Sequence, residues 1–335
     1  MKIIIPMAGR GSRLRPHTLT VPKPLIPIAG KPIVQRLVEE IVGVCEQQVD
    51  EIAFIIGDFG KEAEENLINI AEELGAKGSI YYQKKPLGTA HAILCAKESL
   101  KGNCVIAFAD TLFTADFTLD KNKDGIVWVS QIEDPSAFGV VKLNEEKVIT
   151  EFVEKPKTFI SDLAIIGIYY FNDGDNLKNE LQYLLDNDIK EQGEYQLTTA
   201  LDNMKNKGSK FSAGKVSEWL DCGNKDVANF ANQRILEKNK TNTAVSADII
   251  DSEIIEPCFI GENVVIKKSK IGPHVSIGDN TFIENSVVEK SIIQEKSKII
   301  NTQLINSMIG NNVFFEGEKT IQEVSIGDFS EIKNA

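Results

Sequence analysis

Five cysteines, two tryptophans and three histidines in 335 residues leave several kinds of chemistry thinly supplied. Cys45, Cys95, Cys104, Cys222 and Cys258 are scattered, odd in number and free of Cys-x-x-Cys spacing, which argues against a disulfide framework or a zinc site and for plain buried thiols. Apolar runs such as Ile3–Met7 and Ile165–Phe171 fall far short of the ~18–20 residues that cross a bilayer, so no membrane span is expected. The first residues enter a strand-like segment without the apolar core and cleavage site of a secretory signal, and a cytoplasmic location is the expectation. A formal net charge of −12 disfavours nonspecific binding to nucleic acid or anionic membrane.

Acid is missing from one place in particular. Residues 1–38 carry Lys2, Arg10, Arg13, Arg15, Lys23, Lys31 and Arg36 and no Asp or Glu. These cations alternate with Gly9, Gly11, Pro16, Pro22, Pro24 and Pro27, the residues of a shaped loop rather than a solvated basic face. A local cationic loop on an acidic protein suits a small polyanion.

From Lys2 to about residue 235, short β-type runs alternate with segments of helical period, which predicts an α/β fold with a mixed, mostly parallel, Rossmann-like sheet. Strands are expected at Lys2–Pro6, Glu51–Ile56, Ser79–Tyr82, Cys104–Ala109, Gly125–Gln131, Phe138–Leu143, Val148–Glu154 and Ala164–Tyr170. Helices are expected at Ile33–Gln47, Lys61–Gly75, Thr89–Ser99, Leu177–Asp188, Gln196–Lys207 and Lys225–Lys238. Beyond the polar stretch Glu237–Thr243 the period changes. Ile260, Ile266, Ile271, Ile277, Ile283, Val288, Ile293, Ile299, Leu304 and Ile309 recur every five or six residues, which no helix produces, and an Ile-Gly pair occurs five times. That is a parallel β-helix in which each coil buries its apolar residue on the next. Two domains follow, at 1–240 and 241–335.

The first strand leads into Pro6-Met7-Ala8-Gly9-Arg10-Gly11-Ser12-Arg13, where glycines let backbone N–H groups turn toward phosphate oxygens. A dinucleotide-binding turn needs a third Gly near Leu14 and an acid some twenty residues on, and a Walker loop needs Gly-Lys-Ser/Thr; neither is present. The fuller string is Gly9-x-Gly11-Ser12-Arg13-x2-Pro16-x-Thr18-x3-Pro22-Lys23-Pro24. Gln83-x2-Pro86-x-Gly88-Thr89-Ala90, Asp110, Phe138-Gly139, Glu154-Lys155-Pro156 and Trp219-Leu220-Asp221-x-Gly223 follow in order. With these motifs the chain closely resembles the sugar-1-phosphate nucleotidylyltransferases, in particular the long glucose-1-phosphate thymidylyltransferases that carry a C-terminal left-handed β-helix.

The resemblance implies transfer of a nucleotidyl group from a nucleoside triphosphate (dTTP or UTP) to a sugar 1-phosphate, with Mg2+ as cofactor. Arg13 and Lys23 would then hold the triphosphate and stabilise the reacting phosphoryl group, and Asp110 and Asp221 would bind the metal. Ala8, Gly9, Gly11, Ser12, Gln83, Pro86, Gly88 and Thr89 would line the nucleotide, with Gln83 and Gly88 at the base edge. Gly139, Glu154, Lys155 and Gly167 would meet the sugar phosphate. The sequence departs from the family pattern at Ala8, Ser12 and Ala109, small residues for small ones, and at Thr199, where an acid is usual. A UTP- or GTP-dependent enzyme, a nucleotide-sugar-sensing homologue without turnover, and a bifunctional enzyme using His274 in acetyl transfer stay open. Exposed coil faces favour a homo-oligomer.

Overall fold

A computed structural model of the chain describes all residues except Arg10, Glu46, 115–118, 240, 241, 334 and 335. Arg10 of the cationic loop and the expected junction at 240 and 241 therefore lie outside the described residues. The chain packs as two compact units, one of Met1–Gly9 with Gln35–Trp219 and one of Arg10–Val34 with Leu220–Ala335. Among the described residues no helix is long and apolar enough to cross a membrane.

The first unit is built on a nine-stranded mixed sheet. Its strands are β1 (Lys2–Pro6), β2 (Glu51–Ile56), β3 (Lys77–Tyr82), β4 (Cys104–Ala107), β5 (Gly125–Gln131), β6 (Val140–Leu143), β7 (Ile149–Val153), β8 (Leu163–Phe171) and β9 (Phe211–Lys215). β1 pairs in parallel with β2 and β4, and β2 with β3; both strands are buried past their first residue and are apolar after Lys2 and Glu51. β8 is antiparallel to β4, β5 and β6, and its register slips between Ile165 and Tyr169. Gly167 lies in that slip with φ +82°, a left-handed conformation that costs glycine little.

The expected helices form: α1 (Ile33–Val44), α2 (Lys61–Glu73), α3 (Thr89–Leu94), α4 (Gly174–Asp186), α5 (Leu197–Asn206) and α6 (Lys225–Lys238). The apolar stripe Ala63, Leu67, Ile70 and Ala71 of α2 is buried, and Asp173 caps α4 by accepting from the Asn176 amide at 3.0 Å. The structure differs from the sequence reading at several element ends, α1 stopping at Val44 rather than Gln47, and in unforeseen strands at Thr111–Thr114 and Glu218–Asp221. α3 stops at Leu94 and continues as tight turns, and β9 was not foreseen. Phe-Ser-Ala-Gly-Lys has one large apolar residue, Phe211, and only its burial beside β5 makes the segment a strand. The five cysteines are free thiols; Cys104, Cys222 and Cys258 are buried, while Cys45 and Cys95 are partly so.

In the second unit, two- and three-residue parallel strands stack in three sheets, the form of the left-handed parallel β-helix. Ile260, Ile277, Ile293, Ile309 and Ile326 stack along one sheet, and Ile266, Ile283, Ile299 and Phe315 along the next. Ile271, Val288 and Leu304 stack along the third. All ten residues of the expected repeat are buried. Asparagines at 263, 280, 285, 301, 306 and 312 turn the corners with φ near +50°. The Ile-Gly pair has a steric cause: a Cβ on Gly261 would lie 2.2 Å from Asp279 Oδ1, which accepts from the Glu262 amide at 2.8 Å.

Candidate active site

The site residues of the first unit gather around two constructions. One is the turn after β3. The Gly88 φ of +114° suits only glycine, and a Cβ there would come within 2.4 Å of the Tyr195 carbonyl. The turn is stitched to the start of α5: the Tyr195 amide donates to Leu87 O, the Ala90 amide to Tyr195 O, and the Leu197 amide to Thr89 Oγ1, each at 2.9 Å. The Thr89 hydroxyl in turn donates to Gln196 Oε1 at 3.1 Å. Gln83 Nε2 stands 3.3 Å from Gly88 O and 3.1 Å from His91 Nδ1. Pro86 is exposed on the outside of the turn. Gly88→Ala is therefore expected to lower the melting temperature, by about 1–3 kcal/mol of stability, and to weaken nucleotide binding in equilibrium titration. An unchanged nucleotide affinity would remove Gly88 from the site.

The other construction joins β6, the end of β7 and α5. Glu154 Oε2 accepts from the Thr198 hydroxyl at 3.1 Å, and a Cβ on Gly139 would sit 3.1 Å from the same oxygen. Burial raises the Glu154 pKa against the pull of Lys155 and Thr198, and the carboxylates of Glu191 and Glu194 raise it further. The half-exposed Lys155 reaches Glu154 at 3.9 Å. The pKa of Tyr169, buried on β8, is pushed up first by burial and further by the negative charges of Glu154 and Asp110. Asp110 is exposed just past the buried Ala109. Gly167 accepts from the Phe108 amide at 3.0 Å, and a Cβ there would touch the Phe108 side chain. Trp219 packs edge-on to Phe138 at 5.1 Å between centroids and donates to Thr111 at 3.3 Å, linking two motifs distant in sequence. Ala8 and Gly9 leave β1 where the Met7 amide closes the ladder on Ile55, and Gly9 opens to solvent.

In the second unit the cationic loop is folded into three single turns, Ser12–Leu14, His17–Leu19 and Lys23–Leu25. The Thr18 hydroxyl donates to Gly11 O at 2.8 Å, and a Cβ on Gly11 would lie 2.7 Å from Lys23 Cβ, so the glycine lets the buried Lys23 pack against the loop. Ser12 and Arg13 are exposed. Arg13 Nη2 and Asp221 Oδ2 converge over Gly223, at 3.3 and 2.9 Å from where its Cβ would be.

This loop is tied to the coils. His17 Nε2 pairs with Ser325 Oγ at 3.1 Å, Thr20 donates to Asp328 at 2.7 Å, and the Ala29 amide donates to Asn232 Oδ1 at 2.9 Å. Burial lowers the His17 pKa to about 4, with Asp328 opposing. In the unfolded chain His17 takes a proton near pH 6.5, in the folded one near 4, so stability present above pH 6.5 is lost as pH falls toward 4. The loss is up to about 3 kcal/mol. His17→Gln should flatten the fall of melting temperature over that window; an identical slope would show that His17 is not the titrating group.

Sequence reasoning missed Thr198, Tyr169 and the part played by His91, and it quoted Trp219 only as part of a motif, without its contacts to Phe138 and Thr111. At Thr199, where the sequence departs from the family pattern, the hydroxyl donates to Glu191 at 3.2 Å, while that of its neighbour Thr198 donates to Glu154. Among the described residues no group of three or more His, Cys, Asp or Glu side chains is arranged to hold a metal alone.

The model of the Nucleotidyl transferase family matches residues 2–238. A "Bifunctional protein GlmU" of Methanococcus maripaludis is 32% identical over 94% of this chain and 79% of its own length. A "Glucose-1-phosphate thymidylyltransferase" of Streptomyces antibioticus is 27% identical over 93% of each. The "Low-salt glycan biosynthesis nucleotidyltransferase Agl11" of Haloferax volcanii is 28% identical over 92% of each. A solved UDP-glucose pyrophosphorylase complexed with UDP-glucose superposes with a TM-score of 0.59 at 26% identity, covering 71% of this chain and 99% of that one. With a family model matched over residues 2–238 and relatives aligned over more than nine-tenths of its length, the chain belongs to the nucleotidyl transferase family, among its sugar-1-phosphate nucleotidylyltransferases.

Proposed function

We propose that the protein converts dTTP and glucose 1-phosphate to dTDP-glucose and pyrophosphate in the cytoplasm, as a homo-oligomer. UTP is the alternative nucleotide, favoured by the similarity to a UDP-glucose-bound enzyme. The observation that carries the reading is the pairing of Gln83 with the Gly88 turn on one hand and of Glu154 with Gly139 on the other. The first offers a side-chain amide and a close-approach backbone for a base edge, the second a carboxylate beside bare backbone for sugar hydroxyls.

An oxygen of the sugar phosphate forms the new bond to the α-phosphorus while the bond to the bridging oxygen of the leaving pyrophosphate breaks. The nucleophile is already an anion, so no base is required; what must be supplied is charge and alignment. Arg13 offers a forked donor set and Lys23 a point charge for the triphosphate, with Ala8, Gly9, Gly11 and Ser12 lining its path. Thr89 and Pro86 shape the base turn, and Lys155 meets the sugar phosphate, with Gly139 and Gly167 allowing close approach. The carboxylates of Asp110 and Asp221 are the hard oxygen donors that magnesium takes, and the remaining ligands would come from substrate and water. The chemistry magnesium would supply is neutralisation of phosphate charge and polarisation of the phosphoryl oxygens. In this reading residues 1–240 carry the transfer and residues 241–335 the β-helix.

Incubation with Mg2+, labelled dTTP, UTP or GTP and a panel of hexose 1-phosphates tests the proposal. dTDP-glucose as the fastest product supports it, and no product with any pair defeats it. Acetyl transfer at His274 is not part of this reading, and no acetyl-CoA consumption is expected.

A further inference from the structure

The two partners of the Gln83 amide fix its orientation. A carbonyl oxygen only accepts hydrogen bonds, so the Gln83 atom facing Gly88 O at 3.3 Å must be the NH2 group. That same NH2 group faces His91 Nδ1 at 3.1 Å, so this ring nitrogen accepts, and the imidazole is neutral with its proton on Nε2. Partial burial of His91, which lowers its pKa, agrees with the neutral form. With both amide hydrogens engaged, Gln83 presents Oε1, an acceptor, to whatever enters the turn.

Pyrimidines differ at the atom such an acceptor meets. Uracil and thymine carry N3–H, a donor; cytosine carries a lone pair at N3 and repels a carbonyl oxygen. If His91 could not accept, the amide would be held by Gly88 O alone and would rotate more readily to offer NH2 to cytosine. We infer that His91 is a positioning residue that locks the Gln83 amide and so selects pyrimidines with an imide N–H over cytosine. The inference rests on the proposed role of Gln83 as the base reader.

The test is the ratio of the CTP dissociation constant to those of UTP and dTTP, measured by calorimetry with magnesium nucleotides on the full chain. His91→Phe keeps a planar ring without an acceptor, and His91→Ala repeats the measurement with no risk of overpacking. Both should narrow the ratio about three- to tenfold, the worth of one neutral hydrogen bond. His91→Asn, whose Oδ1 stands where Nδ1 does, should restore it. A merely structural role would weaken all three nucleotides together and leave the ratio alone. Gln83→Leu separates the two readings. If Gln83→Leu collapses the ratio while His91→Phe and His91→Ala leave it at the wild-type value, the role of His91 is overturned and that of Gln83 stands. If Gln83→Leu leaves the ratio unchanged, the base-reading role itself fails and this inference with it.

Discussion

Asp110→Asn and Asp221→Asn are each expected to lower kcat by roughly 10²–10³-fold at saturating magnesium, the range in which loss of one preorganised electrostatic partner falls, with little change in melting temperature. The amide has the size and shape of the carboxyl but not its charge, so the change isolates electrostatics from packing. Folding should be spared because neither group supports a core: Asp110 is exposed and Asp221 is partly so. Two reactants rich in negative charge gain nothing from carboxylates placed near them unless a cation is held there, which is why loss of either acid should reduce turnover rather than relieve repulsion. A shift in the magnesium concentration needed for half-maximal rate should accompany the loss. Near-normal kcat in either variant under saturating magnesium would end its assignment as a metal ligand.

What could be read from the sequence was whatever repeats or sits in one short string. The isoleucines from Ile260 to Ile309 gave away the coils because each coil places one buried residue at the same point of the turn. The loop from Gly9 to Pro24 was legible because its spacing is held by local contacts, such as that of Thr18 with Gly11. Contacts between distant side chains had no such signature. Thr198 meets Glu154 across 44 positions and His17 meets Ser325 across 308, and nothing in either stretch marks its partner. β9 escaped for the opposite reason: its strand state comes from its neighbour β5, and Ser212-Ala213-Gly214 has no preference of its own to display.

Arg13→Ala should lower kcat/KM for both substrates by roughly 10²–10³-fold, as removal of a charge aimed at the reacting phosphates does, and Arg13→Lys should recover only part of it. Lysine keeps the charge but replaces a planar fork by a single ammonium, so two-point contact with phosphate oxygens is lost while long-range attraction stays. The side chain is exposed, so stability should hardly move. Its position adds a sharper test. Arg13 Nη2 and Asp221 Oδ2 lie 3.3 and 2.9 Å from the point where a Cβ on Gly223 would stand, a cation and an anion close to one small backbone site, so removing either changes the field at the other. Residues coupled in this way do not contribute independently, and the double variant Arg13→Ala/Asp221→Asn is expected to lose clearly less than the product of the two single losses. Losses that multiply in full would mean that the two groups act separately, and that their approach over Gly223 has no part in holding the phosphates.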